Sequence, residues 1–372
     1  LSNETSGIMT SSAKDLKQLR DRIDALDEKI LSLFNERAAI AIEVADAKRS
    51  QGETGSFYRP EREADVLRHV VDNNKGPLKD NDVAHLFRAL MSACLSAEAP
   101  LTVGFLGPEG TYSHAAALKH FGYAIKIIPL ASIDDVFREV EAGAANFGVV
   151  PIENSTEGVI SNTLDNFVDS PLKVCGEVSL RIHHHLLTKS DSLQSIKRIY
   201  SHQQSLAQCR RWLAANLPQV EQVNVSSNAE AARRAAEDAS AAAIAGEQAG
   251  ELYKLTSLVS NIEDDPNNTT RFLVIGDIDT HATGEDKTSI MVSSRNEAGA
   301  LYELLAPLAR HKVSMSKIES RPSPRGMWEY VFFLDLEGHV SEPAISGVLE
   351  EISQQAVMLK LLGSYPKSVL DF

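Results

Sequence analysis

From Lys14 to about Arg49 the chain contains neither proline nor glycine, and apolar side chains return at Leu16, Leu19, Ile23, Leu26, Ile30 and Leu33 in alternating steps of three and four. That spacing is a helix seam. Arg37 takes the next seam position, after which Ile40 or Ala41, Val44 and Ala47 resume the stripe. A helix of ~35 residues extends ~52 Å, whereas a domain of ~100 residues has a radius of gyration of only ~13 Å. Such a stripe cannot be buried within one small domain, so the pattern predicts pairing with a second copy in an intertwined dimer. Two shorter helices follow, from about Pro60 to Asn73 and from about Asn81 to Ala97. The second carries the stripe Val83, Leu86, Phe87, Leu90, Met91, Cys94 and Leu95, extended one turn further by Glu98.

After Pro100 the period changes. Short β-rich runs at Leu101–Leu106, Lys126–Leu130, Phe147–Pro151, Arg198–Tyr200, Gln222–Val225, Ala241–Ile244 and Phe272–Ile275 alternate with helical stretches, and 172–187 is strand-rich enough to cross between two lobes. This predicts two α/β lobes facing a cleft. Beyond Gly284 the order β-α-β-β-α-β suits a ferredoxin-like α+β sandwich.

Composition narrows the reading. The 372 residues suit two or three domains, and 43% hydrophobic with 24% charged residues is ordinary for globular cores. A net charge of −14 without a basic stripe argues against nucleic acid, and no apolar run is long enough to cross a bilayer. Cys94, Cys175 and Cys209 stand far apart and read as reduced thiols of a cytoplasmic protein. Residues 1–12 are polar and read as an unstructured leader. His183-His184-His185 alternates faces if it lies in a strand, so no metal site is expected there. No cofactor is expected either: Gly107-Pro108-Glu109-Gly110 is neither a Walker A loop nor a G-x-G-x-x-G fingerprint.

Lys48 lies three turns after Arg37 on the same face, whereas Arg20 faces elsewhere and would serve the opposite end of an antiparallel pair. Cations on a packed seam need anions, supplied either by internal glutamates or by a small dianionic ligand. At these residues a resemblance is visible. Leu19-Arg20-Asp21-Arg22-Ile23-Asp24-Ala25-Leu26-Asp27, Glu36-Arg37, Ala47-Lys48 and Arg62-Glu63 resemble the all-helical chorismate mutases. The resemblance implies that Arg20 (from the partner chain), Arg37, Lys48, Arg62 and Glu63 hold chorismate. Cys94 stands where some relatives have serine and Glu98 where some have glutamine. A carboxylate cannot donate to an ether oxygen, so Glu98 would act protonated, a form that burial favours.

In the middle of the chain, strand, polar turn and helix recur in both lobes, an arrangement that points backbone N–H groups at anions. Gly107-Pro108-Glu109-Gly110-Thr111-Tyr112-Ser113, Pro151-Ile152-Glu153-Asn154-Ser155, Ser201-His202 with Gln208, and Thr269-Thr270-Arg271-Phe272 resemble prephenate dehydratase. The resemblance implies a fold like a two-lobed periplasmic binding protein and conversion of prephenate to phenylpyruvate. Thr270 would then be the proton donor, with Thr111, Ser113, Glu153, Asn154, Ser155, Ser201, Gln208 and Thr269 around the substrate. Arg271 would bind a carboxylate or pair with Glu153.

In the last ninety residues Asn296-Glu297-Ala298-Gly299-Ala300-Leu301 and Ile318-Glu319-Ser320-Arg321-Pro322 resemble the phenylalanine-binding ACT domain. This implies feedback inhibition by L-phenylalanine at Asn296, Ala298, Gly299, Ala300, Leu301, Glu319, Ser320 and Arg321.

The sequence thus predicts a multidomain chain: an all-α chorismate mutase domain (9–99), a two-lobed α/β dehydratase domain (100–280) and an α+β ACT domain (286–372), assembled as a homodimer or homotetramer and not attached to a membrane. A non-catalytic amino-acid sensor and an arogenate dehydratase are the rival readings. The seam cations and the Thr270 motif argue against the first, and fusion to a mutase that makes prephenate argues against the second.

Overall fold

In the computed structural model the described residues are 5–52, 58–294, 297–322 and 330–369, with side chains described from residue 16 onward. The first helix, α1, runs Thr5–Ser50. It therefore begins within the stretch expected to be unstructured. Its 46 residues reach ~69 Å at ~1.5 Å each. Helices α2 (Pro60–Asn73) and α3 (Asp80–Glu98) follow and pack through Leu67 and Ala84, with Val71, Phe87 and Met91 around them. Along α1, eleven large apolar side chains between Leu16 and Val44 are exposed, Leu26 at 55% and Leu33 at 61% among them.

The first α/β lobe is built from β1 (Thr102–Leu106), α4 (Tyr112–Phe121), β2 (Lys126–Leu130), α5 (Ile133–Glu141), β3 (Phe147–Asn154), β4 (Gly158–Val159), α6 (Ser161–Asp169) and β5 (Lys173–Arg181). The chain then crosses, as the sequence predicts, to a second lobe of β6 (His185–Thr188), β7 (Arg198–Ser201), α7 (Gln203–Gln208), α8 (Arg210–Asn216), β8 (Glu221–Asn224), α9 (Asn228–Glu237), β9 (Ala241–Ala245), α10 (Glu247–Tyr253) and β10 (Thr256–Val259). Strand β10, absent from the sequence reading, carries Thr256, Ser257 and Leu258 with no clear alternation and forms the edge of the second sheet, antiparallel to β6.

The chain returns as β11 (Thr269–Gly276), which inserts antiparallel between β3 and β5 to give the order β2-β1-β3-β11-β5. Phe272, Val274 and Ile275 lie fully buried in this central strand, which explains the short unbroken apolar run.

The C-terminal unit comprises β12 (Asp286–Ser294), α11 (Ala300–His311), β13 (Met315–Pro322), β14 (Tyr330–Glu337), α12 (Pro343–Gln355) and β15 (Met358–Pro366). Its sheet order β13-β14-β12-β15 is antiparallel throughout, the arrangement expected of the β-α-β-β-α-β pattern. It lies directly on the first lobe. Gly363, at φ +146°, brings β15 against β5 so closely that a Cβ there would overlap the Val174 carbonyl. Val331, Phe333, Leu362 and Tyr365 join Val174, Leu273 and Ile275 in one hydrophobic core.

The helical unit joins the same body through Tyr58, which packs on Phe121 and Phe147 with its hydroxyl 3.1 Å from His120 Nε2. Burial holds the His120 imidazole neutral, lowering its pKa to about 3.

Candidate functional site

The strand-end motifs converge on a cleft of about 400 Å³ between the lobes. Thr111, Tyr112, Ser113, Asn154, His184, His202, Ser205, Gln208, Asn228, Asn268 and Thr270 are among its lining residues. Pairing of β11 with β3 sets Thr270 opposite Asn154 and Arg271 opposite Glu153. Successive strand residues face opposite sides, so Thr270 and Asn154 look into the cleft while their neighbours look away from it.

Asn154 is the organiser. Its Oδ1 accepts from the Thr156 and Glu157 amides at 3.0 and 3.1 Å and from the Thr156 hydroxyl at 2.6 Å. The amide group is thereby fixed, and Nδ2 donates to Thr270 Oγ1 at 2.8 Å and to Asn268 Oδ1 at 2.9 Å. Because Thr270 Oγ1 accepts this bond, its own proton is left to donate elsewhere. Thr270 is only 8% exposed, so its hydroxyl sits in a medium where such a bond is stronger than in water.

A second group spans the lobes. Gln208 Nε2 donates to Thr156 Oγ1 at 3.2 Å, and its Oε1 lies 2.8 Å from His184 Nε2. His184 Nδ1 lies 2.9 Å from the Tyr112 hydroxyl. Burial lowers the His184 pKa against the pull of Gln208 and Glu263, so the ring is neutral near pH 7. Of the three consecutive histidines, His183 pairs with Glu263 at 2.8 Å, and His185 accepts from the Asn261 amide at 3.3 Å. Among the described residues no group of three His, Cys, Asp or Glu side chains is placed to hold a metal ion.

The other expected residues divide. Ser113 lines the cleft, buried. Thr111 also lines it, yet its hydroxyl is engaged as the cap of α4, accepting from His114 and reaching the Leu106 and Pro108 carbonyls. Ser155 Oγ accepts from the Thr269 amide and Thr269 Oγ1 donates to the Asn267 carbonyl, so both tie the loop. Ser201 is wholly buried. Its hydroxyl meets the Ile244 carbonyl at 2.9 Å and Asn228 Oδ1 at 3.1 Å, and so it positions Asn228, which lines the cleft.

Neither expectation for Arg271 holds. Strand alternation turns it away from the cleft, where Nε meets Glu177 at 2.8 Å, Nη1 meets Asp335 at 2.5 Å and Nη2 donates to Tyr365 at 3.0 Å. Glu153 pairs instead with Lys317 at 2.6 Å. Asn268, Asn228, Tyr112, His184, His202 and Ser205 are among the cleft residues to which the sequence reading assigned no role. Asn268 directly precedes the Thr269-Thr270-Arg271-Phe272 motif and Tyr112 stands inside the glycine turn, so nearness to a motif was the available signal.

In the helical unit Glu98 feels Lys48, Arg37 and Arg49, and the Arg49 guanidinium donates to the Glu98 carbonyl at 2.5 Å. Burial raises the Glu98 pKa despite these three cations. Glu63 turns from this group to a buried pair with Arg88 at 3.0 Å, while Arg20 and Arg62 are exposed.

In the C-terminal unit Gly299 caps α11 at φ +86°, a backbone shape suited to glycine. Ala298, Ala300 and Leu301 flank it, and Glu319 and Ser320 lie on the edge strand β13. Arg321 instead engages Asp165 and Ser161 of α6, and Asn296 lies outside the described residues.

Comparison with known proteins follows the same division. A chorismate mutase type II model matches residues 19–99, a prephenate dehydratase model residues 103–280 and an ACT domain model residues 288–354. The bifunctional chorismate mutase/prephenate dehydratase of Pseudomonas aeruginosa is 58% identical over 362 residues, covering 95% of this chain and 98% of that one. That of Stutzerimonas stutzeri is 57% identical over 367 residues, covering 97% and 100%. The prephenate dehydratase of Arthrobacter aurescens, solved with L-Phe, superposes with a TM-score of 0.66 at 33% identity, over 72% of this chain and 90% of that one.

The Arg271 cluster generates a test. Its side chain is 15% exposed, that of Glu177 6% and that of Asp335 12%. Removing one partner of a buried ion pair costs about 3–5 kcal/mol. Arg271→Met should therefore lose about that much stability in denaturant melts. Glu153→Gln, at a carboxylate 40% exposed, should lose less than about 1 kcal/mol.

Proposed function

This chain belongs to the bifunctional chorismate mutase/prephenate dehydratase family, and from that premise we propose how its residues divide the work. It combines a chorismate mutase and a prephenate dehydratase with a C-terminal ACT domain, here taken as 9–99, 100–280 and 286–372. The mutase rearranges chorismate to prephenate and the dehydratase converts prephenate to phenylpyruvate. The observation that carries the site assignment is the Asn154–Thr270 pair on the cleft face of β3 and β11.

In the dehydratase step the ring carboxylate leaves as CO2, its electron pair closes the aromatic ring, and the ring C–OH bond breaks. The departing oxygen gains a proton and leaves as water. Thr270, held by Asn154, supplies the hydrogen bond to that oxygen. Gln208, with His184 and Tyr112 behind it, and the amides near Thr111 and Ser113 anchor the rest of the substrate. Aromatisation and CO2 release provide the driving force, so a precisely held neutral donor suffices. Because the fused mutase makes prephenate, prephenate rather than arogenate is the substrate.

In the mutase step no bond to the enzyme forms, and positioning with charge stabilisation is enough. Arg37 and Lys48 bind the carboxylates with Arg62, and Glu98 donates to the ether oxygen in its protonated form. Glu63 is held by Arg88 instead. Arg20 completes the site of a second chain. Eleven exposed apolar side chains on α1, each worth about 1.5–3 kcal/mol on full burial, favour the dimer, which a tetramer would contain. L-phenylalanine binds at the ACT domain around Gly299–Leu301 and Glu319–Ser320, a reading supported by the solved relative's complex with L-Phe, and calorimetric titration should detect that binding. The unpaired, buried thiols of Cys94, Cys175 and Cys209 suit a cytoplasmic setting.

Thr270→Ala is expected to lower phenylpyruvate formation at least 100-fold while prephenate formation from chorismate stays within twofold, followed by ultraviolet absorbance in one preparation; a near-normal dehydratase rate would refute the assignment. For the mutase, the donor Glu98 is lost as pH rises through its raised pKa, so kcat falls on the alkaline side. Glu98→Gln donates at every pH, and its profile should be flat there. Leu26→Glu should convert the dimer to monomer in light scattering and abolish mutase turnover.

A further inference from the structure

Asn268 is 2% exposed and lines the cleft beside Thr270. The orientation of its amide follows from its neighbour. Asn154 Oδ1 is taken by the Thr156 and Glu157 amides, so the group that Asn154 turns to Asn268 is a donor, and the atom of Asn268 that meets it must be the oxygen. The Thr156 hydroxyl approaches the same oxygen at 3.4 Å. Nδ2 of Asn268 therefore points elsewhere, and it is buried without a hydrogen-bond partner. A buried amide N–H is seldom left unpaired, and one beside a reactive hydroxyl in a ligand cleft is a donor held ready for the ligand.

We infer that Asn268 Nδ2 is a second catalytic donor, which together with the Thr270 hydroxyl binds the ring hydroxyl oxygen of prephenate as it departs. Both residues are fixed by one nitrogen, Asn154 Nδ2, which donates to Thr270 Oγ1 at 2.8 Å and to Asn268 Oδ1 at 2.9 Å, so the two side chains stand side by side in the lining of one cleft, each with a proton free to donate. The chemistry selects the hydroxyl over the ring carboxylate. Negative charge builds on the hydroxyl oxygen in the transition state, where donors accelerate the reaction. It drains from the carboxylate that becomes CO2, where a donor would slow it. The proton on the departing oxygen comes from the Thr270 side and the aqueous medium; Asn268 gives up none.

This rests on the cleft being the dehydratase site, and the wild type with Thr270→Ala tests that premise separately. Asn268→Asp keeps the acceptor for Asn154 and removes the donor; Asn268→Ala removes both without adding charge. Each is expected to lower dehydratase kcat about 100- to 1,000-fold, the scale of losing one such donor. Inhibition by phenylpyruvate, which has already lost the ring hydroxyl, should stay within threefold in the Ala variant. Mutase turnover and the melting transition report folding. A kcat within fivefold of wild type in both variants, or equal losses of kcat and phenylpyruvate affinity in Asn268→Ala, would overturn the inference.

Discussion

Two strands and their pleat govern the dehydratase half of this protein. β3 and β11 run antiparallel with Thr270 opposite Asn154 and Arg271 opposite Glu153. Since alternate residues face opposite sides, one register produces two surfaces at once. The cleft side carries a hydroxyl and a fixed amide. The reverse side carries a guanidinium and a carboxylate, both claimed by the C-terminal sheet: Arg271 by Asp335 and Tyr365, Glu153 by Lys317. A one-residue slip of β11 would exchange these faces. It would put a cation in the cleft and strand Glu177 and Asp335 in the core. The ion cluster thus acts as a register lock for Thr270, the proposed proton donor.

The cluster is also well satisfied. Glu177 receives Lys287 as well as Arg271, and Ser289 donates to Asp335 and meets the Tyr365 hydroxyl. A buried charge group of this kind adds little net stability over an apolar core, but it is costly to break in part. Together with Lys317–Glu153 it ties the C-terminal sheet to the backs of β11 and β3, and Arg321 adds a further tie to α6. Any ligand that favours one placement of that sheet changes the same strands that hold Thr270 and Asn154, and linkage makes the effect reciprocal for binding free energies.

Much of this was legible in residue order. The seam of α1, the alternation of strand and helix and the β-α-β-β-α-β order all follow from apolar spacing, and the structure departs mainly at edges. The strand at 147 runs on to Asn154, because Glu153 and Asn154 pair with β11 and β4, whereas the sequence reading ends it at Pro151, before the polar residues. Arg271 was misread for a deeper reason. Its partners Glu177, Asp335 and Tyr365 lie 64 to 94 residues away, and no local pattern shows which face of a central strand meets another unit. Thr111 and Ser201 were identified as polar residues at the right strand ends, but whether a hydroxyl caps a helix, braces a neighbour or meets a ligand is decided by tertiary neighbours.

The chemistry itself explains why composition and spacing alone were quiet about function. One reaction is a rearrangement within a single molecule and the other an elimination driven by aromatisation. Neither asks the protein for a nucleophile, so no Ser-His-Asp or Cys-His constellation stands out. What each needs is donors and cations held still against a polyanion, and the residues proposed for this are common ones: threonine, asparagine, arginine, lysine, glutamate. Their special character comes from position. Asn154 spends its carbonyl on the Thr156 and Glu157 amides so that its nitrogen can fix two others, and Glu98 is half-buried beside three cations and still has a raised pKa. Catalytic power here lies in the rigidity of the sheet and helix ends that hold such groups, which is why the same residues would mean nothing on a mobile loop.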